Sequence, residues 1–269
     1  MADDKGSTPF YEHPRFKGTV AVIGLVSAVF ALVGVPKLID VIGDAISTDK
    51  AVALSNTAVI LDTSAAMGQP FEAGDTRFDA ALKAMGQAVP GNKEGLALRR
   101  TGPECGGEEE EPLVDFGTGN RQAVLGEAEA QRPGGKSNIV KAVIEAVEEF
   151  RSNPKFNRPD STRRILVFTA GRDDCFSGNV ADKLSAELKD DRISASFALI
   201  ALNASGQGLI QLRELKSALK SAGADPEIYT PDDQDELNEN AEEVKASAPN
   251  PPSEKEEEEG EEGGGSGTT

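Results

Sequence analysis

The sequence predicts an α/β domain with a doubly wound, mostly parallel central sheet flanked by helices, preceded by one transmembrane helix. Two apolar runs, Ala58–Leu61 and Ile165–Phe168, each end in a polar loop, which is typical of strands buried on both faces of a parallel sheet. Segments with helical spacing of apolar residues separate the strand patterns, which indicates crossover connections. Asp62 follows the first run and is therefore expected at a carboxyl strand end, where open α/β sheets bind ligands.

The remaining elements follow in chain order from the same periodicities. The apolar residues Phe78, Ala81, Leu82 and Met85 recur at helical spacing, for example, and mark one face of the first helix. We predict helices over residues 76–88, 121–131, 138–151, 180–189, 209–222 and 233–244, strands over 58–62, 95–99, 163–169, 193–202 and 226–230, and a glutamate-rich loop over 104–111. Strands that alternate with helices in this way predict a single parallel-sheet domain.

Three loops carry the residues that suggest a site. The first contains Asp62 and Ser64, the second is a glycine turn that ends at Ser137 and opens a helix, and the third contains Thr169 and Ala170. Carboxylate and hydroxyl oxygens suit a hard cation such as Mg²⁺, although Ser64 could equally cap the next segment. In order and spacing the three motifs resemble the von Willebrand factor type A domain over residues 56–245. That resemblance implies a metal-ion-dependent adhesion site built from Asp-x-Ser-x-Ser, a distant threonine and the aspartate of Thr-Asp-Gly.

The match to the adhesion-site motif is incomplete. Ala66 stands at the second serine position, Ala170 replaces the aspartate of Thr-Asp-Gly, and Ser137 replaces the threonine but keeps a hydroxyl. Magnesium demands near-octahedral oxygen coordination, so a metal held by Asp62, Ser64 and Ser137 is expected to bind weakly or not at all. The expected cofactor is therefore none, with Mg²⁺ at a degenerate site as the alternative.

The loop after the second strand offers charged residues that bear on this site. Asp173 or Asp174 could turn inward and supply the missing carboxylate, but we interpret both as solvated loop acids. Arg172 carries a fixed charge that could pair with Asp62 and replace the ion.

A protein-binding function follows from the resemblance. Family members hold a partner at the carboxyl ends of their strands, and five residues are expected to line that face here: Asp62, Ser64, Ser137, Thr169 and Arg172. The partner is expected to be a protein whose identity the sequence does not give. Three alternatives stay open: a structural or assembly subunit of a membrane complex, a metal-dependent adhesion module, and a domain that faces the cytoplasm and assists an ATPase.

The amino-terminal region predicts a membrane anchor. Residues 18–35 carry no charge, and as a helix at about 1.5 Å per residue they would span about 27 Å, close to the hydrocarbon thickness of a bilayer. No small-x-small cleavage site follows, so a retained single-pass helix is favoured over a signal peptide. The predicted order is an amino-terminal segment (1–16), a transmembrane helix (17–36), a stalk (37–55), the folded domain (56–246) and a disordered acidic tail (247–269).

The cysteines and flanking charges bear on the location of the domain. A small excess of basic residues before the span favours an amino terminus inside the cell. Cys105 and Cys175 could be two free thiols, but the resemblance places both in loops at the same end of the sheet and implies a disulfide. Such bonds persist mainly in oxidising compartments, so the folded domain is expected to be extracytoplasmic.

Composition and charge exclude several function classes. A formal net charge of -18 argues against nucleic acid as a partner, because phosphates would be repelled, and against close docking on anionic lipid headgroups. The one histidine, His13, precedes the predicted membrane span, so the folded domain lacks a serine–histidine triad. Asp62 as a carboxylate nucleophile would need a second acid and a lysine or metal nearby. We therefore predict that the protein is not an enzyme.

Overall fold

The computed structural model describes residues 55–72, 74–101, 104–105, 111–153, 158, 161–187 and 195–247. The strands are β1 (Ser55–Leu61), β2 (Pro70–Glu72), β3 (Asp75–Thr76), β4 (Gly95–Arg100), β5 (Val114–Thr118), β6 (Thr162–Thr169), β7 (Ser196–Ala201) and β8 (Asp225–Tyr229). The helices are α1 (Arg77–Ala88), α2 (Arg121–Ala130), α3 (Ile139–Ser152), α4 (Val180–Glu187), α5 (Gly206–Ser221) and α6 (Gln234–Ala246), with a short 3-10 helix at Ala65–Gly68.

Six strands form the central sheet in the order β5-β4-β1-β6-β7-β8. All neighbouring pairs in this sheet are parallel except β4 and β5, which are antiparallel. The prediction of a mostly parallel sheet flanked by helices is therefore confirmed. Two features were not predicted: the edge strand β5, and the small antiparallel hairpin of β2 and β3. Both are short, and β5 is only half buried, so neither produces a long apolar run.

The helices cover both faces of the sheet. The side chains of β1 alternate between two apolar clusters, because successive residues of a strand point to opposite faces. Ala58 and Ile60 pack with α3, α4 and α5, whereas Val59 and Leu61 pack with α1, α2 and α6. The strand is thus buried on both faces, as its unbroken apolar sequence predicts.

Local capping fixes where two helices begin. Thr76 and Asp79 form a reciprocal capping box at the start of α1, and Asp233 accepts the N–H of Glu236 at the start of α6. Both helices begin at the carboxyl end of the sheet. We use this name for the end where the parallel strands finish. The helices run back to the amino end, where those strands begin, as crossover helices do.

No helix among the described residues is both long and apolar enough to cross a membrane. The predicted transmembrane helix (17–36), the stalk up to residue 54 and the acidic tail from residue 248 lie outside the described residues.

Candidate functional site

Strand register places three polar residues side by side at the carboxyl end of the sheet. Leu61 of β1 lies level with Phe168 of β6 and Arg100 of β4. The next residue in each chain segment is Asp62, Thr169 and Thr101, respectively. Since these strands are parallel, the three residues leave the sheet together, and all three are fully buried. The register thus creates a buried carboxylate between two threonine hydroxyls.

Both carboxylate oxygens of Asp62 accept hydrogen bonds from the protein. Oδ1 accepts from the Ser64 backbone N–H (2.9 Å) and from the Thr101 hydroxyl (3.1 Å). Oδ2 accepts from the Thr169 hydroxyl (2.7 Å) and from the Ala170 backbone N–H (3.4 Å). Four donors surround the buried charge, which is how proteins compensate the lost hydration of a carboxylate.

Two further hydroxyls at this end are buried without a hydrogen-bond partner among the described residues. They are Ser64 Oγ, which follows Asp62, and Ser137 Oγ, which precedes α3. These are the hydroxyls that the adhesion-site resemblance assigns to a metal. The structure therefore keeps both hydroxyl positions, whereas of the two aspartates of the motif only Asp62 is present.

Asp173 corrects the interpretation that both acids of the third loop are solvated. Its side chain is buried, with Oδ2 accepting the Val140 N–H at the start of α3 (2.8 Å) and Oδ1 accepting the N–H groups of Cys175 and Phe176 (both 2.9 Å). Asp173 thus caps α3 from a different segment of the chain. Burial raises the pKa of this carboxyl, the three backbone N–H donors act against that rise, and the negative charge of Asp62 adds to it.

Arg172 contacts a different acid from the one we expected. Its Nε lies 2.9 Å from Asp174 Oδ1, and its side chain is 67% exposed. The hypothesis that Arg172 replaces a metal by pairing with Asp62 is therefore wrong, and protein donors surround Asp62 instead. Asp174 also accepts the backbone N–H of Ser137 through Oδ2 (3.3 Å), which joins the third loop to the second. Arg172 is left at the solvent-facing rim of the site.

Backbone hydrogen bonds tie the first loop to the second. Gly134 N–H donates to the Thr63 carbonyl (2.7 Å), and Ala65 N–H donates to the Gly135 carbonyl (3.1 Å).

Gly171 in the third loop has a φ of 92°, and a Cβ there would lie 2.8 Å from Ala204 Cβ. A side chain at position 171 would be strained for both reasons. The three loops are consequently held in one arrangement.

A disulfide joins Cys105 to Cys175, as the sequence resemblance implied. It links the segment between β4 and β5 to the third loop, across 70 residues of chain. Cys175 also donates its N–H to the Ser137 carbonyl (3.2 Å). The covalent bond therefore reaches the same loop that carries Asp173 and Arg172.

The structure brings together four of the five predicted site residues, Asp62, Ser64, Ser137 and Thr169, in buried positions, with Arg172 at the exposed rim. Sequence reasoning missed Thr101 and the capping role of Asp173. Thr101 lies two residues after a predicted strand, so its position at a strand end was a usable signal. Asp173 gave none, because its partner Val140 lies 33 residues away in sequence. No group of three or more His, Cys, Asp or Glu side chains suited to a metal ion occurs within the described ranges.

Comparison with family models and with curated proteins returned no match. Comparison with solved structures returned a von Willebrand factor type A protein from Catenulispora acidiphila (TM-score 0.50, 15% identity, 72% of this chain and 42% of that one). It also returned the PilB minor pilin from Streptococcus sanguinis (TM-score 0.52, 9% identity, 71% of this chain and 60% of that one). The chain thus spans less than two thirds of either structure. It has a von Willebrand factor type A-like fold, as its motifs predicted.

Proposed function

We propose that this chain is a protein-binding module that docks a protein partner on the carboxyl end of its sheet without a functional metal site. Asp62, Ser64, Ser137 and Thr169 form the buried floor, and Arg172 is the exposed contact. The observation that carries this proposal is that both oxygens of Asp62 are already hydrogen-bonded to protein donors. A floor held in this way needs no ion to fix its loops.

The available donors argue against tight Mg²⁺ binding. Ala66 and Ala170 supply methyl groups where the motif has a hydroxyl and a carboxylate. The hydroxyls Ser64 Oγ and Ser137 Oγ, which have no hydrogen-bond partner among the described residues, are neutral. Both oxygens of Asp173 already accept backbone N–H groups and Asp174 pairs with Arg172, so of the motif's own charges only that of Asp62 would face a divalent cation. Magnesium needs octahedral oxygen coordination, for which this donor set does not suffice. Partner binding should then depend on loop shape, hydrogen bonds and Arg172.

The same proposal places the domain outside the cytoplasm on a single-pass anchor at residues 17–36. The Cys105–Cys175 disulfide supports this location, because such bonds persist in oxidising compartments. The fold also supports a binding role rather than an enzymatic one, since one neighbour of the same fold is a minor pilin. Fold alone does not determine function, so the substitutions described below test the proposed binding role.

The test is co-purification from membranes solubilised in neutral detergent, with full chain as bait. Arg172→Glu reverses the exposed charge of the site, and Arg213→Glu on the exposed surface of α5 is the matched control. We expect Arg172→Glu to reduce partner recovery by about tenfold, the effect of about 1.4 kcal/mol at an interface. Arg213→Glu should leave recovery unchanged. A partner retained equally by both variants would instead indicate a structural subunit of a membrane complex that does not use this face.

A second experiment, with a chelator, tests whether the chain depends on a bound divalent metal ion. Removal of divalent ions should change neither the melting temperature nor partner recovery of the wild-type chain. As a positive control, Ala66→Ser with Ala170→Asp restores both missing oxygens beside Asp62, and this variant should gain Mg²⁺-dependent stability. Loss of stability in chelator by the wild-type chain, reversed by Mg²⁺, would show that the site holds an ion after all.

A further inference from the structure

The amino end of the sheet carries a basic surface that no function above uses. Three lysines are exposed there: Lys93 before β4, Lys220 in the last turn of α5, and Lys245 in the last turn of α6. Arg164, the third residue of β6, is buried at the same end, on the face of the sheet that α6 covers. We call these four residues the amino-end surface. Arg151, Arg158 and Arg163 lie at the same end with contacts of their own. The acids at this end include Glu94 and Asp225 at the strand starts and Glu242 and Glu243 near the end of α6.

Arg164 is a buried cation with an unmet donor. Its Nη1 donates to the Val244 carbonyl (2.8 Å) and its Nε to Thr57 Oγ1 (3.4 Å), but its buried Nη2 has no hydrogen-bond partner among the described residues. Burial lowers the pKa of this guanidinium, and the charge of Glu94 acts in the opposite direction. An incompletely paired buried charge is costly, so this end of the molecule favours additional negative charge nearby.

The chain itself supplies that charge from the same place. Helix α6 ends at Ala246, one residue before the described range closes at Ser247, and the carbonyl that Arg164 contacts belongs to this last turn. Seven glutamates and one lysine then occur within residues 254–262. The acidic run therefore follows closely on the end of the sheet that carries the three exposed lysines.

The distances allow contact along the whole surface. Six residues lie between Ser247 and Glu254, and the seven residue-to-residue steps that join them span about 25 Å when the chain is extended. Six strands at about 4.8 Å spacing make a sheet about 24 Å wide. Glutamates of the run can consequently reach the start of any strand, including the β4 side where Lys93 lies.

We propose that the acidic segment Glu254–Glu262 binds the amino-end surface of its own domain. Each exposed ion pair contributes little alone, about 0–1 kcal/mol. The short tether compensates, because it holds the glutamates at an effective concentration in the millimolar range. Bound in this way, the segment neutralises the basic end and keeps it from other anions. The interaction is independent of the carboxyl-end site, so it stands or falls separately from the proposed function.

The test is zero-length carbodiimide coupling of lysine amines to carboxylates in the full chain, read by peptide mass spectrometry. Lys93 is the informative lysine, because it is distant from the segment in sequence. Lys136, exposed at the opposite end of the sheet, is the matched control. We expect adducts between residues 254–262 and Lys93 or Lys220 to exceed those with Lys136 by about tenfold at about 0.01 M salt, where screening is weak. At about 1 M salt the excess should disappear.

A variant with Glu256, Glu257, Glu258 and Glu259 replaced by Gln separates attraction from simple proximity. In this variant the remaining glutamates, Glu254, Glu261 and Glu262, keep their carboxylates and their tether length. Their coupling to Lys93 should fall by about fivefold, because the electrostatic attraction that held the segment is reduced. Equal adduct yields at Lys93 and Lys136, or yields at Lys93 that neither salt nor the Gln variant changes, would overturn the proposal.

Discussion

At the carboxyl end of the sheet, Asp62 is buried and four protein donors surround its charge. At the amino end the buried Arg164 has two acceptors, and its Nη2 has no partner in the part of the chain that the structure describes. Both residues adjoin the same pair of neighbouring strands, β1 and β6. The Asp62 carboxylate accepts its hydrogen bonds from threonine hydroxyls that strand register places beside it and from N–H groups of the loop backbone. The cation depends on acceptors from a helix end and a threonine.

This difference shows which of the buried charges is compensated by groups of the described chain. Asp62 and Asp173 are both buried acids, and each is satisfied by donors of the described chain, so the carboxyl end keeps its shape without an added ion. Arg164 is satisfied only in part, so the amino end gains from added negative charge. The same contrast predicts that removing the charge will cost far more at one end than at the other.

The largest effect is expected for Asp62→Ala. This change leaves the hydroxyls of Thr101 and Thr169 and two backbone N–H groups buried without their acceptor, which should cost about 3–5 kcal/mol of unfolding free energy. Urea denaturation measures it. Asp225→Ala, at an exposed aspartate, is the control and should change stability by less than about 0.5 kcal/mol. Similar values for the two variants would mean that the donors around Asp62 find other partners.

Removal of the disulfide should have the next largest effect. The Cys105→Ser, Cys175→Ser double variant frees a loop of 70 residues, and loss of a native disulfide costs about 2–4 kcal/mol. Urea denaturation of this variant and of the wild type, with and without reductant, measures the difference. Asp173 still joins the third loop to α3 through backbone N–H groups, so the variant should fold. If reductant leaves the wild type as stable as before, the bond does not constrain the unfolded chain in the expected way.

The sequence was sufficient for the strands and helices that bury long apolar runs. Strand β1 is an example, because Val59, Ile60 and Leu61 are all buried only if apolar layers cover both faces of the sheet. Strand β5 was missed because it is an edge strand whose apolar residues, Val114 and Phe116, are only partly buried and alternate with Asp115 and Gly117, so it carries no such run. Local periodicity reports burial, and elements with little burial leave little signal.

The candidate site was predictable only where its residues follow strands. Asp62 and Thr169 end two buried strands, and parallel register then requires them to meet. The partners of Arg172 and Asp173 depend instead on the conformation of an irregular loop. Asp173 caps a helix that begins 33 residues earlier, and no local pattern encodes that contact. Loop acids that look solvated in sequence can therefore be buried caps.

A smaller effect is expected for Arg164→Met at the amino end. The Val244 carbonyl keeps a second donor in the Ser247 hydroxyl (3.0 Å), so little is left unsatisfied when the guanidinium is removed. Replacement of an incompletely paired buried charge by an apolar side chain is often neutral, and we expect a loss below about 1.5 kcal/mol. Urea denaturation beside Asp62→Ala gives the direct comparison. A loss for Arg164→Met as large as that for Asp62→Ala would remove the contrast between the two ends.

The smallest effect concerns the pH dependence that Asp173 contributes. Burial raises its pKa in the folded state, so over the interval between its unfolded and folded pKa values the folded chain binds more protons than the unfolded chain. The stability from this group is therefore fully present below the unfolded pKa of about 3.9 and is lost as the pH rises through the folded pKa. Asp173→Asn cannot titrate at this position and therefore lacks this contribution to the pH dependence of stability. The wild type should thus gain stability relative to Asp173→Asn as the pH falls from neutral toward about 4, measured by urea denaturation at each pH.

Asp182→Asn, at an exposed aspartate in the first turn of α4, is the matched control. A gap between wild type and Asp173→Asn that narrows instead as the pH falls would show that the three backbone donors outweigh burial, and would make this carboxylate as fully compensated as Asp62.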